Sequence, residues 1–165
     1  MTKILGLLLA VLGLAACGTV GSTTSPAPSP SAVPSQEITA PQPSAEEGSV
    51  LNITVGDQTL TATFADNPSA EEFRALLAQG PVTVEMEDYG GFEKVGPLGT
   101  TLTRNDTQIT TQPGDVILYQ GNQITIYYDT NTWSFTRLAR IDDPAGLREK
   151  LGGGAVTVTF SLTCK

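Results

Sequence analysis

From Val50 onward the chain alternates apolar and polar residues with the period of a β-strand. "VLNITV" and "QTLTATFA" flank Gly56-Asp57, which predicts a hairpin with Leu60, Ala62 and Phe64 on one face and Thr59, Thr61 and Thr63 on the other. The period then lengthens. "NPSAEEFRALLAQG" puts Phe73, Leu76 and Leu77 on one stripe of a helix. That helix has two possible starts: Asn67 as cap with Pro68 in the first turn, or a capping box of Ser69 and Glu72. Gly80 ends it. "VTVEMED" is the next strand, and "YGGFEKVGPLGTTLTRNDTQITTQPG", with little apolar periodicity, is expected to be a long loop. Strands are predicted over 115–119, 123–128 and 135–141, the last two joined by a loop carrying Trp133. Asp143-Pro144 should cap a short helix over 145–151, stopped by the glycines at 152–154. "AVTVTFSL" closes the pattern with Val156, Val158, Phe160 and Leu162 facing inward. The expected fold is mainly antiparallel β with two short helices. Pairing of the first and last strands would close the sheet and remove its edges.

The first 48 residues follow a different pattern. Lys3 precedes an unbroken run of apolar residues and glycine from Ile4 to Ala16. A helix spanning a bilayer needs ~20 such residues, so this run fits a secretory signal instead. It ends in Leu14-Ala15-Ala16-Cys17, which resembles a bacterial lipobox. The expectation is a signal peptide over 1–16, removed to leave a diacylated Cys17 that holds the protein to the extracytoplasmic face of a bacterial membrane. Two acyl chains anchor stably where one is marginal. The linker over 17–48 is rich in Ser, Thr, Pro and Ala and cannot bury enough apolar area to fold. The folded domain is expected over 49–165. Cys164 then lacks a disulfide partner, and a place next to the C-terminus favours an exposed thiol.

Charge removes several functions. The 165-residue chain has 9 basic and 17 acidic residues, a formal net charge of −8, and no histidine. Acidity disfavours phosphate backbones, so no nucleic-acid partner is expected. Without histidine, Ser-His-Asp and Cys-His catalysis and histidine-based zinc sites are excluded within the chain. No cofactor and no metal are expected. Asp142-Asp143 is better explained by helix capping than by a metal.

The stretch from Tyr89 to Asp143, with "YGGFEKVG", "RND", "QITT" and "LYQGNQI", resembles the bacterial cyclophilin-like domain, and the likeness extends over nearly all of Val50–Leu162. This resemblance implies a closed antiparallel β-barrel of about eight strands with helices at its ends. True cyclophilins are peptidyl-prolyl isomerases in which an arginine hydrogen-bonds the prolyl nitrogen and weakens the amide resonance behind a barrier of ~20 kcal/mol. "NTWSFTRLARI" resembles the cyclophilin stretch that holds the pocket tryptophan, so Trp133 matches that position. The cyclophilin pocket histidine has no counterpart here.

The expected site gathers Tyr89, Phe92, Arg104, Gln120, Asn122, Gln123, Trp133 and Arg137 at one mouth of the barrel, with Tyr119 and Tyr127 as further aromatic lining. Gly90-Gly91 would let backbone approach a ligand. Arg104 or Arg137 would anchor an acidic group. Each element has a structural alternative: Gln120–Gln123 as a plain turn, the aromatics as core, and the arginines as salt bridges to Asp106, Asp115 or Asp129. The leading reading is a monomeric, non-enzymatic module that binds a small molecule or peptide. An envelope peptidyl-prolyl isomerase and a structural interaction module are the alternatives.

Overall fold

The computed structural model describes residues 48–164. The expected signal peptide, Cys17 and nearly all of the linker lie outside the described residues, as does the side chain of Cys164.

Nine strands and two helices follow one another: β1 (Ser49–Val55), β2 (Gln58–Phe64), α1 (Pro68–Ala78), β3 (Val82–Tyr89), β4 (Glu93–Pro97), β5 (Thr107–Thr110), β6 (Asp115–Tyr119), β7 (Gln123–Tyr127), β8 (Thr132–Ile141), α2 (Leu147–Leu151) and β9 (Val156–Cys164). All pairings are antiparallel, in the order β2-β1-β9-β3-β4-β7-β6-β8, and β8 returns to β2 to close an eight-stranded barrel. The first and last strands do pair, Leu51 opposite Leu162 and Ile53 opposite Phe160. The ninth strand, β5, pairs with the first half of β8 outside this ring.

Closure follows from the alternation. Every second residue of β1, β3, β6, β7 and β9 enters one core, where Ile53, Met86, Val116, Ile126 and Val158 are buried from solvent. Each such side chain stabilises the fold by about 1.5–3 kcal/mol relative to leaving it in water. Helix α1 adds Phe73, which meets Phe64 and Phe160 edge-on at centroid distances of 6.3 and 5.9 Å. Of its two possible starts, the structure has the first: Asn67 accepts from the Ala70 N–H, with Pro68 in the first turn. Ser69 and Glu72 hold a distant loop instead. The Ser69 hydroxyl donates to the Thr103 carbonyl (2.6 Å), and the Thr103 N–H donates to Glu72 (2.7 Å).

Three expectations need correction. The stretch over 89–114 is not one long loop, since β4 and β5 lie within it. Strand β4 was hidden because it reverses the usual polarity. Lys94 and Gly96 face inward, while Glu93 and Val95 face out. A Cβ on Gly96 would sit 2.3 Å from the Glu85 carbonyl oxygen, so only glycine fits there. Strand β5 has one apolar residue, Ile109, too few to set a period. Trp133 is not in a loop but on β8, opposite Ile109. The second helix is shorter than expected, beginning at Leu147. Asp143 accepts from the Ala145 N–H in the turn before it, and α2 has no side-chain cap.

Candidate functional site

The wall formed by β3, β4, β7, β6 and β8 has a second apolar face. Side chains of adjacent residues in a strand point to opposite sides. Where Val116, Leu118, Ile124 and Ile126 enter the barrel, Ile117, Tyr119 and Tyr127 face away from it. Ile117, Tyr127 and Phe135 form a separate buried cluster, with Phe92, Ile109 and Tyr119 packed against it. A cavity of about 300 Å³ opens on this face, lined by Tyr89, Phe92, Glu93, Val95, Tyr119, Gln123, Tyr127, Asn131, Trp133 and Phe135. The candidate site is therefore a groove on the outer wall, not the barrel mouth that the loops suggested.

Register builds it. Glu93 on β4 lies between Tyr89 on β3 and Tyr127 on β7. Tyr89-Gly90-Gly91-Phe92 is the tight turn of the β3–β4 hairpin: both glycines have positive φ (62° and 75°), and the Phe92 N–H donates to the Tyr89 carbonyl. A Cβ on Gly90 would meet the Phe92 ring at 2.2 Å, so the missing side chain lets that ring fold back. Phe92 then stacks on Tyr127, at 6.0 Å and 7° between planes, and meets Tyr89 edge-on. Tyr127 packs against Phe135, which meets Tyr119. Trp133, two residues before Phe135 on β8, extends this face. Tyr89 and Trp133 are 63 % and 61 % exposed and form the accessible rim.

The polar part is a short chain of groups. Thr111 holds the Asn131 backbone at both its N–H and its carbonyl, 2.8 Å each. The Asn131 side chain bonds the Tyr127 hydroxyl, which interacts in turn with the Glu93 carboxyl. Burial pushes the Glu93 carboxyl above its usual range, and the Tyr127 hydroxyl offsets part of that shift. Burial and the neighbouring Glu93 raise the Tyr127 phenol. Oε2 of Glu93 has no hydrogen-bond partner.

Of the expected site residues, Tyr89, Phe92, Gln123 and Trp133 line the groove together, and Tyr119 and Tyr127 join them. Arg104, Gln120, Asn122 and Arg137 do not. Arg104 is held by Asp106, which also accepts from the Thr136 hydroxyl. Gln120 and Asn122 serve as a turn with exposed side chains: Gln120 and Gly121 both have positive φ, and the carbonyls of Gly121 and Asn122 accept from Leu102 and Leu98. Arg137 is held by Asp115, beside a β-bulge that brings in a second arginine. The register of β6 on β8 shifts between Val116 and Ile117, so both Leu138 and Ala139 enter the core. Residues three apart in a regular strand face opposite ways, but the bulge puts Arg137 and Arg140 on one side. Both reach the buried Asp115, at 3.1 and 2.8 Å. The arginines thus take their structural roles. Among the described residues no group of three or more His, Cys, Asp or Glu side chains is arranged to hold a metal.

Glu93, Val95, Asn131 and Phe135 were not anticipated. Gly90-Gly91 was the missed signal for Glu93, because a short glycine-containing connection, here Gly90-Gly91-Phe92, makes a hairpin that sets Glu93 opposite Tyr89. Phe135 follows from two-residue alternation with Trp133 once β8 starts early enough.

The fold is a closed antiparallel barrel whose outer wall carries an aromatic groove. The chain belongs to the cyclophilin-like family, whose model matches residues 53–161. Comparisons with curated proteins and with solved structures gave no match.

Proposed function

We propose that this domain is a non-enzymatic binding module that seats a small organic molecule, or one side chain of a peptide, in the outer-wall groove. One observation carries this reading: six aromatic side chains converge on a single cavity and leave two of their number, Tyr89 and Trp133, largely exposed. Water-exposed rings around a concave site are available for a partner to cover. The lining residues include no arginine, and Arg104 and Arg137 are committed to aspartates. That supports binding over proline isomerisation, for which the family resemblance would require a free guanidinium.

Trp133 is the sole tryptophan, so its emission reports occupancy directly. Titration with small amines, carboxylates, neutral amides and short proline peptides is expected to change it saturably for at least one class. Tyr89→Ala should weaken that binding and leave the melting temperature within the small range typical of exposed positions. Proline peptides should show no accelerated cis–trans exchange in the same samples. If no compound perturbs Trp133, or if exchange is accelerated, the reading fails.

We also infer that the protein is lipidated at Cys17 and displayed on the outer side of a bacterial membrane, with residues 18–48 as a spacer. The run Ile4–Ala16 followed by Cys17 supports this. Cys17→Ala is expected to abolish detergent-phase partitioning and leave an unprocessed or released form. Unchanged partitioning would refute the anchor.

A further inference from the structure

Glu93 is only 7 % exposed, Oε2 lacks a partner, and no cation of this chain pairs with it among the described residues. Asp115, equally removed from water, carries two arginines. Buried charges in folded proteins are normally paired, because an unpaired one loses its hydration with nothing in return. Glu93, without a counter-charge, lines a cavity together with aromatic rings. Ring faces attract cations, and most strongly where water is excluded. The sign is the reverse of what Arg104 or Arg137 at the site would have favoured.

We propose that the groove recognises an alkylammonium group, seated against Tyr89, Phe92, Tyr127 and Trp133 with Glu93 as its counter-ion. This rests on the groove being a binding site. Geometry favours an ammonium over a guanidinium. A guanidinium engages both oxygens of a carboxylate side by side. The Glu93 carboxyl interacts with the Tyr127 hydroxyl and its Oε2 is unpartnered but buried, so it presents a charge behind the rings and not two open oxygens for a fork, which suits a compact single charge. The cavity of about 300 Å³ lies at the small end for ligand pockets and suits one ammonium head with a short chain. Such a head occurs on free amines and on lysine side chains, methylated or not.

The test uses the full chain and Trp133 emission, with three probes of matched shape: choline, its neutral tert-butyl isostere, and a tert-butyl carboxylate of the same length. Choline should bind roughly tenfold or more tighter than the neutral isostere, and the carboxylate should bind weakest. Glu93→Gln should remove that preference. The same substitution should raise the melting temperature at neutral pH, because it relieves an unpaired buried charge. A residue serving only the fold would lower it. Peptides carrying lysine or trimethyl-lysine, titrated beside the free amines, separate the two ligand sources by which binds tighter. Equal binding of choline and its neutral isostere, with Trp133 still responding, overturns the proposal and leaves the groove a binding site. Silence of Trp133 toward every probe overturns both. The comparison on the unaltered protein decides the matter even if Glu93→Gln fails to fold.

Discussion

Val158→Asp is expected to unfold the domain. Val158 is fully buried in the middle of β9, paired with Val55 on β1 and Val84 on β3. Its side chain enters the hydrophobic core of the barrel. An unpaired carboxylate there costs several kcal/mol, against a total stability of about 5–15 kcal/mol for a domain of this size. The control is one residue away. Thr159 faces the other side, its hydroxyl 3.1 Å from that of Thr83. Thr159→Asp should keep a cooperative, β-rich unfolding transition by circular dichroism. A one-residue slip in register would exchange the two outcomes. A wild-type melting curve for Val158→Asp therefore contradicts the register of the closing strand.

The second large effect lies at the inward polar cluster of β4. The Lys94 ammonium is completely buried, 2.8 Å from Asp88 and 2.5 Å from the Gly154 carbonyl to which it donates. Asp88 also accepts from the Gly154 N–H and the Tyr128 hydroxyl. Asp88→Ala strands the buried ammonium, and breaking such a pair from one side costs about 3–5 kcal/mol. The Asp88 side chain is 38 % exposed, so water softens the loss to about 2–3 kcal/mol. That should lower the melting temperature by roughly 8–15 °C. Lys94→Met should cost less, because Asp88 keeps two donors and contact with water. The double variant should recover part of the loss. If Lys94→Met is the more damaging single change, the buried charge is not what makes the pair matter.

Acid adds a check on sign. The bond from Lys94, followed by that from Gly154, holds the Asp88 carboxyl below its ordinary value of 3.8. A carboxyl with a depressed folded-state value contributes stability above its unfolded value and loses it as the pH falls through the folded one. The gap between the wild type and Asp88→Ala should be constant near neutral pH and shrink below about pH 4. Glu93 runs the other way. Its raised value makes the ionised carboxyl a cost that is absent in acid and grows as the pH rises through the folded value.

Strands that alternate cleanly were legible without coordinates. β1, β2 and β9 present threonines to one side and aliphatics to the other, and α1 shows its stripe and its Asn67 cap. The short run of β6 and β7 was also readable, because "DVILY" and "QITIY" are bounded by a glycine turn. Half of the groove was visible as well, since tyrosine, phenylalanine and tryptophan near glycines are conspicuous.

Local pattern alone determined the strand periods, the helix and the acidic, histidine-free chemistry of this protein, because each is a property of neighbouring residues. Only the tertiary structure decided which side of each strand meets the ligand groove and which charges are paired. β4 inverts the usual polarity because Lys94 faces inward beside Asp88, its partner on β3, and donates to the Gly154 carbonyl, a contact between residues far apart in the chain. A single bulge on β8 sets Arg140 on the same side as Arg137, and Asp115 holds both arginines outside the groove lining. Glu93 is left among aromatic rings without a cation because register, set by hydrogen bonds between strands distant in the chain, brings Tyr89, Glu93 and Tyr127 side by side.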